Sequence, residues 1–314
     1  MPDMPDLVAG LRSSNSRERL QATERVLALP ALARIEPLAA VARDRAAPVD
    51  ARTSAIGMLG RCGSAAASAL VPLVADPDPQ VRAAAVSALA DVDARALASK
   101  RAALQGDASP LVRLEVVRNA SAFPDREKLL EAALADPMSS VRRAALEKIG
   151  PVLSEATAVR VAKLFAGIRT RPERGEGREQ MLEEEAALSA LLGAQTSPKV
   201  REIVAPIAPR VIEIAGDPDA YDTDDHVEAG RRAAELLAAA GVPRPLVGAL
   251  EAILVKPGLK RYVLEQVVLA LVKSAPDEAE KVFARALARG GSHVPPELLK
   301  DGLQRAQRAQ TGKS

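Results

Sequence analysis

Asp76-Pro77-Asp78-Pro79-Gln80-Val81-Arg82 is the stretch that decides the fold. It recurs as Asp107-Ala108-Ser109-Pro110-Leu111-Val112-Arg113 and as Asp136-Pro137-Met138-Ser139-Ser140-Val141-Arg142. In each copy an Asp is followed, after four residues, by Val-Arg, and the arginines lie 31 and 29 positions apart. A fixed period near 30 residues marks a stack of similar units, each too small to bury a hydrophobic face alone.

Around the first copy, Ser64 to Ala75 carries Ala-rich helical periodicity with Leu70, Leu73 and Val74 on one side. The prolines of 76–79 stop it, because proline cannot continue a helix and displaces its predecessor from αR. A second helix runs from Pro79 to about Ala90, with Val81, Ala85 and Leu89 at i, i+4 and i+8. The next units repeat this: 94–105 and 111–122 flank the second turn, and 125–135 and 139–149 the third. One period upstream, Arg52, Ile56 and Leu59 align with Arg82, Val86 and Leu89, with Ala51 in the Val position. Arg19, Ala22 and Val26 make a weaker match further up.

The motif has a structural rationale. Asp at the turn can accept from the free N–H groups of the following helix, and its charge suits the positive helix end. Val packs the helix start into the core. Arg points sideways, where it can meet the turn Asp of a neighbouring unit and build a ladder of such contacts. Asp76, Val81, Arg82, Asp107, Val112, Arg113, Asp136, Val141 and Arg142 are therefore assigned to the joint between units.

These residues resemble the HEAT-repeat family, which pairs an Asp in the intra-repeat turn with Val-Arg at the second-helix start. The resemblance covers 64–151 well, 31–63 reasonably and 4–30 faintly. It implies a right-handed superhelix of paired helices with the second helices on the concave face, and a role as a scaffold for other proteins. The proline often found in the family's first helix has no regular place here.

Composition agrees with an all-α chain. Among 314 residues 48% are hydrophobic, mostly Ala, Leu and Val, and only 2% are aromatic, which disfavours sheets. Net charge is +2, and the balance is 20 basic to 18 acidic residues up to Gly150 and 23 to 23 after it. Neither half shows the asymmetry of a nucleic-acid or membrane-surface binder. The acidic, proline-punctuated start is no signal peptide, and no stretch is apolar enough for a membrane span, so a cytoplasmic monomer is expected.

After Gly150-Pro151 the period degrades. Helices are expected over 154–168, 178–192, 198–215, 224–240, 243–255, 258–274, 276–289 and 295–308. Residues 1–151 thus read as regular repeats, 152–308 as divergent repeats continuing the solenoid or a separate helical domain, and 309–314 as a disordered tail. The charged loop 169–177 is the main irregularity.

Catalytic groupings are sparse, and neither an enzyme nor a cofactor is expected. Cys62 is alone, and His226 and His293 lie 67 residues apart. The di-iron hydroxylases of HEAT-like fold use His-Glu pairs, and neither His here is followed by Glu. The bilin-lyase group has similar short repeats, a likeness of fold only. From Asp217 to Glu228 the spacing resembles a calcium loop, but Tyr221 and Asp222 replace an oxygen ligand and the required Gly. Gly57, Gly60 and Gly63 have glycine-fingerprint spacing but no preceding strand, and the last two are expected to end a helix.

Residues one and five past the motif Arg should face away from the core: Thr53, Gly57, Ala83, Ser87, Leu114, Arg118, Arg143 and Glu147. Leu114, Arg118, Arg143 and Glu147 are the candidate binding residues for a partner protein, with the two arginines meeting its acidic groups. The alternative is a DNA-associated protein with a basic concave face, which would need a denser positive groove than this charge balance suggests.

Overall fold

The computed structural model describes residues 4–150, 154–168, 178–217, 228–289 and 293–312, and all regular structure among them is helical. The chain divides into two compact units, Met1–Lys148 and Ile149–Ser314.

In the first unit, α1 (Met4–Arg12) packs on α2 (Ser16–Leu27) and on α3 (Ala31–Arg43), and α3 packs on α4 (Val49–Gly60). A broken first helix follows. It comprises a 3-10 turn at Ser64–Ala66, α5 (Ala67–Leu70) and a 3-10 stretch at Val71–Ala75, where one helix over 64–75 is expected from periodicity. Pro72 lies at the start of the tightened stretch and has no N–H to give the α-helical ladder. Its partner α6 (Pro79–Val92) is continuous and packs on α4.

The next first helix is also split, into α7 (Ala94–Ala98) and α8 (Arg101–Gln105). The Ser99 hydroxyl donates to the Ala96 carbonyl (2.7 Å), a local bond that competes with the helical ladder. Its partner α9 (Pro110–Arg118) packs on α6 and stops short of the expected Ala122. There Asn119 folds back onto the Glu115 carbonyl (2.9 Å), and the chain tightens into a 3-10 turn at Ala120–Ala122. The last pair is α10 (Arg126–Ala133) and α11 (Ser139–Ile149). The first helices over 64–75 and 94–105 are thus broken, whereas their partners α6 and α9 each run as one α-helix.

The motif valines occupy the core. Val81 and Val112 are wholly buried, Val141 nearly so, and Ala51 fills the same place in α4. Gly63 adopts φ +74°, which suits glycine alone, and lets the chain leave α4 for the next pair.

The second unit runs through α12 (Glu155–Gly167), α13 (Arg178–Leu192), the short α14 (Val200–Val204), α15 (Ala208–Ala215), α16 (Ala229–Ala240), α17 (Val247–Leu254), α18 (Arg261–Ser274), α19 (Pro276–Arg289) and α20 (Pro296–Thr311). The expected helix over 198–215 is interrupted by a 3-10 turn at Ala205–Ile207 that contains Pro206. Helix α16 packs on α13, α15 and α18, and α20 on α18 and α19. Phe165, Leu188, Leu236, Leu250, Val267, Leu271 and Phe283 form the interior.

Helix α20 reaches Thr311, through residues assigned from sequence to a disordered tail beginning at 309. Gln310 holds it there by donating to the Glu280 carboxylate (2.8 Å) and the Pro276 carbonyl (3.2 Å). Gly312, at φ +64°, ends it.

Gly302 explains how α20 comes so close. A Cβ at this position would lie 2.8 Å from Val268 Cγ1 and 3.0 Å from Phe283 Cε2. Replacing Gly302 by Val is expected to destabilise the protein by about 1–3 kcal/mol, because a close-packed interface has no room for the added groups. The urea midpoint of the Gly302→Val variant checks this, and an unchanged midpoint would mean that α20 is not packed at this depth.

Candidate binding surface

The turn aspartates do two jobs. Each folds its own turn: Asp76 accepts from the Asp78 N–H (3.0 Å), Asp107 from the Ser109 N–H (2.8 Å) and Asp136 from the Met138 N–H (2.8 Å). These bonds span two residues and close the turn before the helix begins. The expectation that the motif Asp caps the following helix is therefore corrected. In α6 the cap is Asp78, which accepts from the Gln80 and Val81 N–H groups, while Ser109 gives α9 no side-chain cap.

The second job joins neighbouring units. Arg82 donates through Nε and Nη2 to both oxygens of Asp107, at 2.9 and 2.8 Å. Arg113 does the same to Asp136, at 2.7 and 2.9 Å. Upstream, Arg52 forks onto Asp76, with one bond of 3.2 Å, and Arg19 meets Asp50 at 2.6 Å. The remaining guanidinium nitrogen returns to the arginine's own turn. Nη1 of Arg82 bonds the Asp76 and Pro77 carbonyls, that of Arg113 the Asp107 and Ala108 carbonyls, and that of Arg142 the Asp136 and Pro137 carbonyls. Each of Arg82 and Arg113 thus clamps two successive turns in a planar, charge-assisted geometry that lysine could not reproduce.

Burial makes the inner rungs matter. The side chains of Arg52 and Asp76 are 4% and 7% exposed, whereas Asp50 at the outer rung is 61% exposed. Removing one partner of a buried pair costs about 3–5 kcal/mol, while an exposed pair contributes at most about 1 kcal/mol. Burial by itself would push the Asp76 carboxyl up. The hydrogen bonds from Arg52 and the Asp78 N–H, with the Arg52 and Arg45 charges, outweigh it and hold the carboxyl below the ordinary range. Asp107 is held down against burial by Arg82, the Ser109 N–H and Arg113, and Asp136 by Arg113, the Met138 N–H and Arg142.

Beside the ladder lie the candidate binding residues. Leu114 and Arg143 are half-buried, and Arg118 and Glu147 exposed. Arg143 pairs with Glu147 one helical turn on (2.7 Å), and Arg118 lies 3.6 Å from Glu115. Gly57 is exposed, and Thr53 and Ser87 are half-buried. Ala83 departs from the expected outward stripe, because it is buried in the packing around α6. Leu111 and Met138, about 40% exposed each on neighbouring units, were not singled out in the sequence; they lie two and four residues before the motif Arg rather than after it.

The second unit handles charge differently. Arg201, in the Val200-Arg201 copy that lacks an upstream Asp, donates to the Ala240 carbonyl (3.3 Å) at the end of α16 and to the Lys273 carbonyl (2.7 Å) in α18. Helix C-termini, the negative ends of the helix dipoles, replace the missing carboxylate. Glu184 and Glu185 of α13 take Arg210 of α15 and Arg232 of α16. Residues 169–177, His226 and most of the stretch 217–228 lie outside the described residues. His293 is exposed. Cys62 is buried, its Sγ donates to the Met58 carbonyl, and burial raises its thiol above the ordinary value.

Sequential helix pairs clamped by a repeating Arg–Asp contact define a helical repeat protein. The HEAT repeat family model matches residues 67–92, the unit built from α5, the 3-10 stretch and α6, so this unit is a HEAT repeat. The solved structure of YibA from Escherichia coli has a similar fold, with a TM-score of 0.56 at 16% identity over 87% of this chain and 93% of that one. Human deoxyhypusine hydroxylase in complex with glycerol aligns over 90% of this chain and 97% of its own at 18% identity, but its TM-score of 0.33 is too low to argue from. No curated protein matches the sequence.

The depressed aspartates set a pH dependence. Their folded pKa lies below the unfolded value of about 3.9, so the stability they contribute is fully present above that pH and is lost as the pH falls through the folded pKa. The thermal midpoint should therefore hold steady from neutral pH to about 5 and fall below about 4. The Asp107→Asn variant should start lower at pH 7 and fall less steeply in acid. A variant with the same acid slope as the parent would contradict an ionised Asp107 in the folded state.

Proposed function

We propose that this protein is a non-enzymatic interaction scaffold that holds a partner protein on the surface beside the ladder in its first unit. The observation that carries the reading is the use of the repeated charges. Arg52, Arg82 and Arg113 and the aspartates they meet are engaged with their own chain, so the recurring acid and base hold the repeats together. The positions that change from copy to copy, Gly57, Ser87, Leu114, Arg118, Arg143 and Glu147, lie outside those contacts. HEAT repeats commonly mediate protein interactions. A surface that keeps its spacing while its side chains vary suits recognition of an extended or helical segment.

On this reading Arg118 and Arg143 meet acidic groups of the partner, Leu114 supplies apolar contact, and no cofactor takes part. Exchange of the Arg143–Glu147 and Arg118–Glu115 pairs for intermolecular ones costs little, because each has an exposed member and pairs three or four residues apart on one helix contribute only about 0.2–0.5 kcal/mol. The test is affinity purification with the parent and with the Arg118→Glu/Arg143→Glu variant, both shown to melt alike. Loss of the parent's specific partners from the variant is expected, and an identical partner profile would remove this surface from consideration.

A further inference from the structure

The turn between α17 and α18 reverses the charge of the turns in the first unit. Its sequence, Val255-Lys256-Pro257-Gly258-Leu259-Lys260-Arg261-Tyr262, carries three cations, and no Asp or Glu occurs from 252 to 264. Lys256, Lys260 and Arg261 are all exposed, the Arg261 side chain at 70%. Among the described residues, neither the Lys256 nor the Lys260 ammonium has a hydrogen-bond or ion-pair partner. The carboxylates that flank the turn in sequence are engaged elsewhere or at its edge: Glu251 with Arg285 (3.0 Å) and Glu265 with Arg261 (2.9 Å).

The placement runs against the stability of the helix. Lys260 is the N-cap of α18, where Ser, Asp or Asn would satisfy free N–H groups, and it has no side-chain cap bond. It also sets a positive charge at the positive end of a fourteen-residue helix. Apolar surface accompanies the charge. Val255 is 57% exposed, and Tyr262 is 38% exposed, with its hydroxyl tied to Glu235, so that the ring is held in place. Unpaired cations, uncapped N–H groups and fixed apolar side chains together make a surface complementary to carboxylates set next to a hydrophobic residue.

We infer that the α17–α18 turn is a docking point for an acidic segment of a partner protein, in which carboxylates meet Lys256, Lys260 and the start of α18 while an apolar neighbour packs on Val255 and Tyr262. The inference shares with the proposed function only the need for a protein partner; its surface lies in the other unit. A protein segment is favoured over a phosphate backbone or an anionic membrane because the cations are few and the adjoining contacts are an aliphatic side chain and an anchored ring.

The test uses the full chain and a fluorescein-labelled peptide of four glutamates around a Leu-Phe pair, followed by anisotropy, with phosphatidylserine vesicles and duplex DNA as parallel probes. Peptide binding should weaken with added salt, and the Lys256→Glu/Lys260→Glu variant should bind at least about tenfold more weakly. The Lys260→Asp variant should bind more weakly and yet unfold at a higher urea concentration, since it gains a cap, a combination that a purely structural lysine would not give. Equal peptide binding by parent and double variant, absence of binding by the parent, or tighter binding to vesicles or DNA than to peptide would overturn the inference. Each of these outcomes leaves the surface around Arg118 and Arg143 untouched, so the two readings fail separately.

Discussion

The contact between the arginine at the start of one second helix and the aspartate in the next unit's turn is the constraint on which the first unit depends. A lone helix pair buries too little to be stable, so units must hold their neighbours in register. Hydrophobic packing supplies most of the energy but is tolerant of sliding. A forked arginine bonded to two carboxylate oxygens ahead and to its own turn's carbonyls behind is not. The geometry therefore sets the spacing of the second helices, with the buried valines packing beneath it.

That division of labour determines where recognition can reside. Groups committed to the ladder are unavailable to a ligand, because withdrawing one leaves its buried partner uncompensated. Neighbouring positions on the same helices carry no such obligation and differ between units. In the second unit the clamp is looser in kind: Arg201 meets main-chain carbonyls, and Glu184 and Glu185 take arginines from other helices. Relaxation of the turn motif there is what allows a turn with the charge of 255–262.

Much of this architecture was legible in the sequence because the motif is periodic and its chemistry is directional. The spacing of Asp107 and Arg82 was enough to anticipate their pairing, and the upstream matches at Arg52 and Arg19 pointed to further rungs. The breaks in the first helices were not legible, since apolar periodicity is nearly the same for an unbroken α-helix and for one interrupted by a 3-10 stretch at Pro72 or by a turn at Ser99 and Lys100. The capping role was misassigned because Asp76 and Asp78 both precede the helix, and only geometry separates a turn-closing carboxylate from a capping one. The burial of Ala83 was missed for a related reason: angular position on a helix gives direction but not how closely the next helix approaches. The end of α20 was hidden because a tail rich in Gln and Arg looks frayed until Glu280 is seen to hold it.

The most direct measurement is a double-mutant cycle on Arg82→Ala and Asp107→Ala, read by urea unfolding. If the rung joins successive units, the two losses will not add, and the coupling will be about 2 kcal/mol or more. Additive losses, within about 0.5 kcal/mol, would contradict the central role given to the ladder.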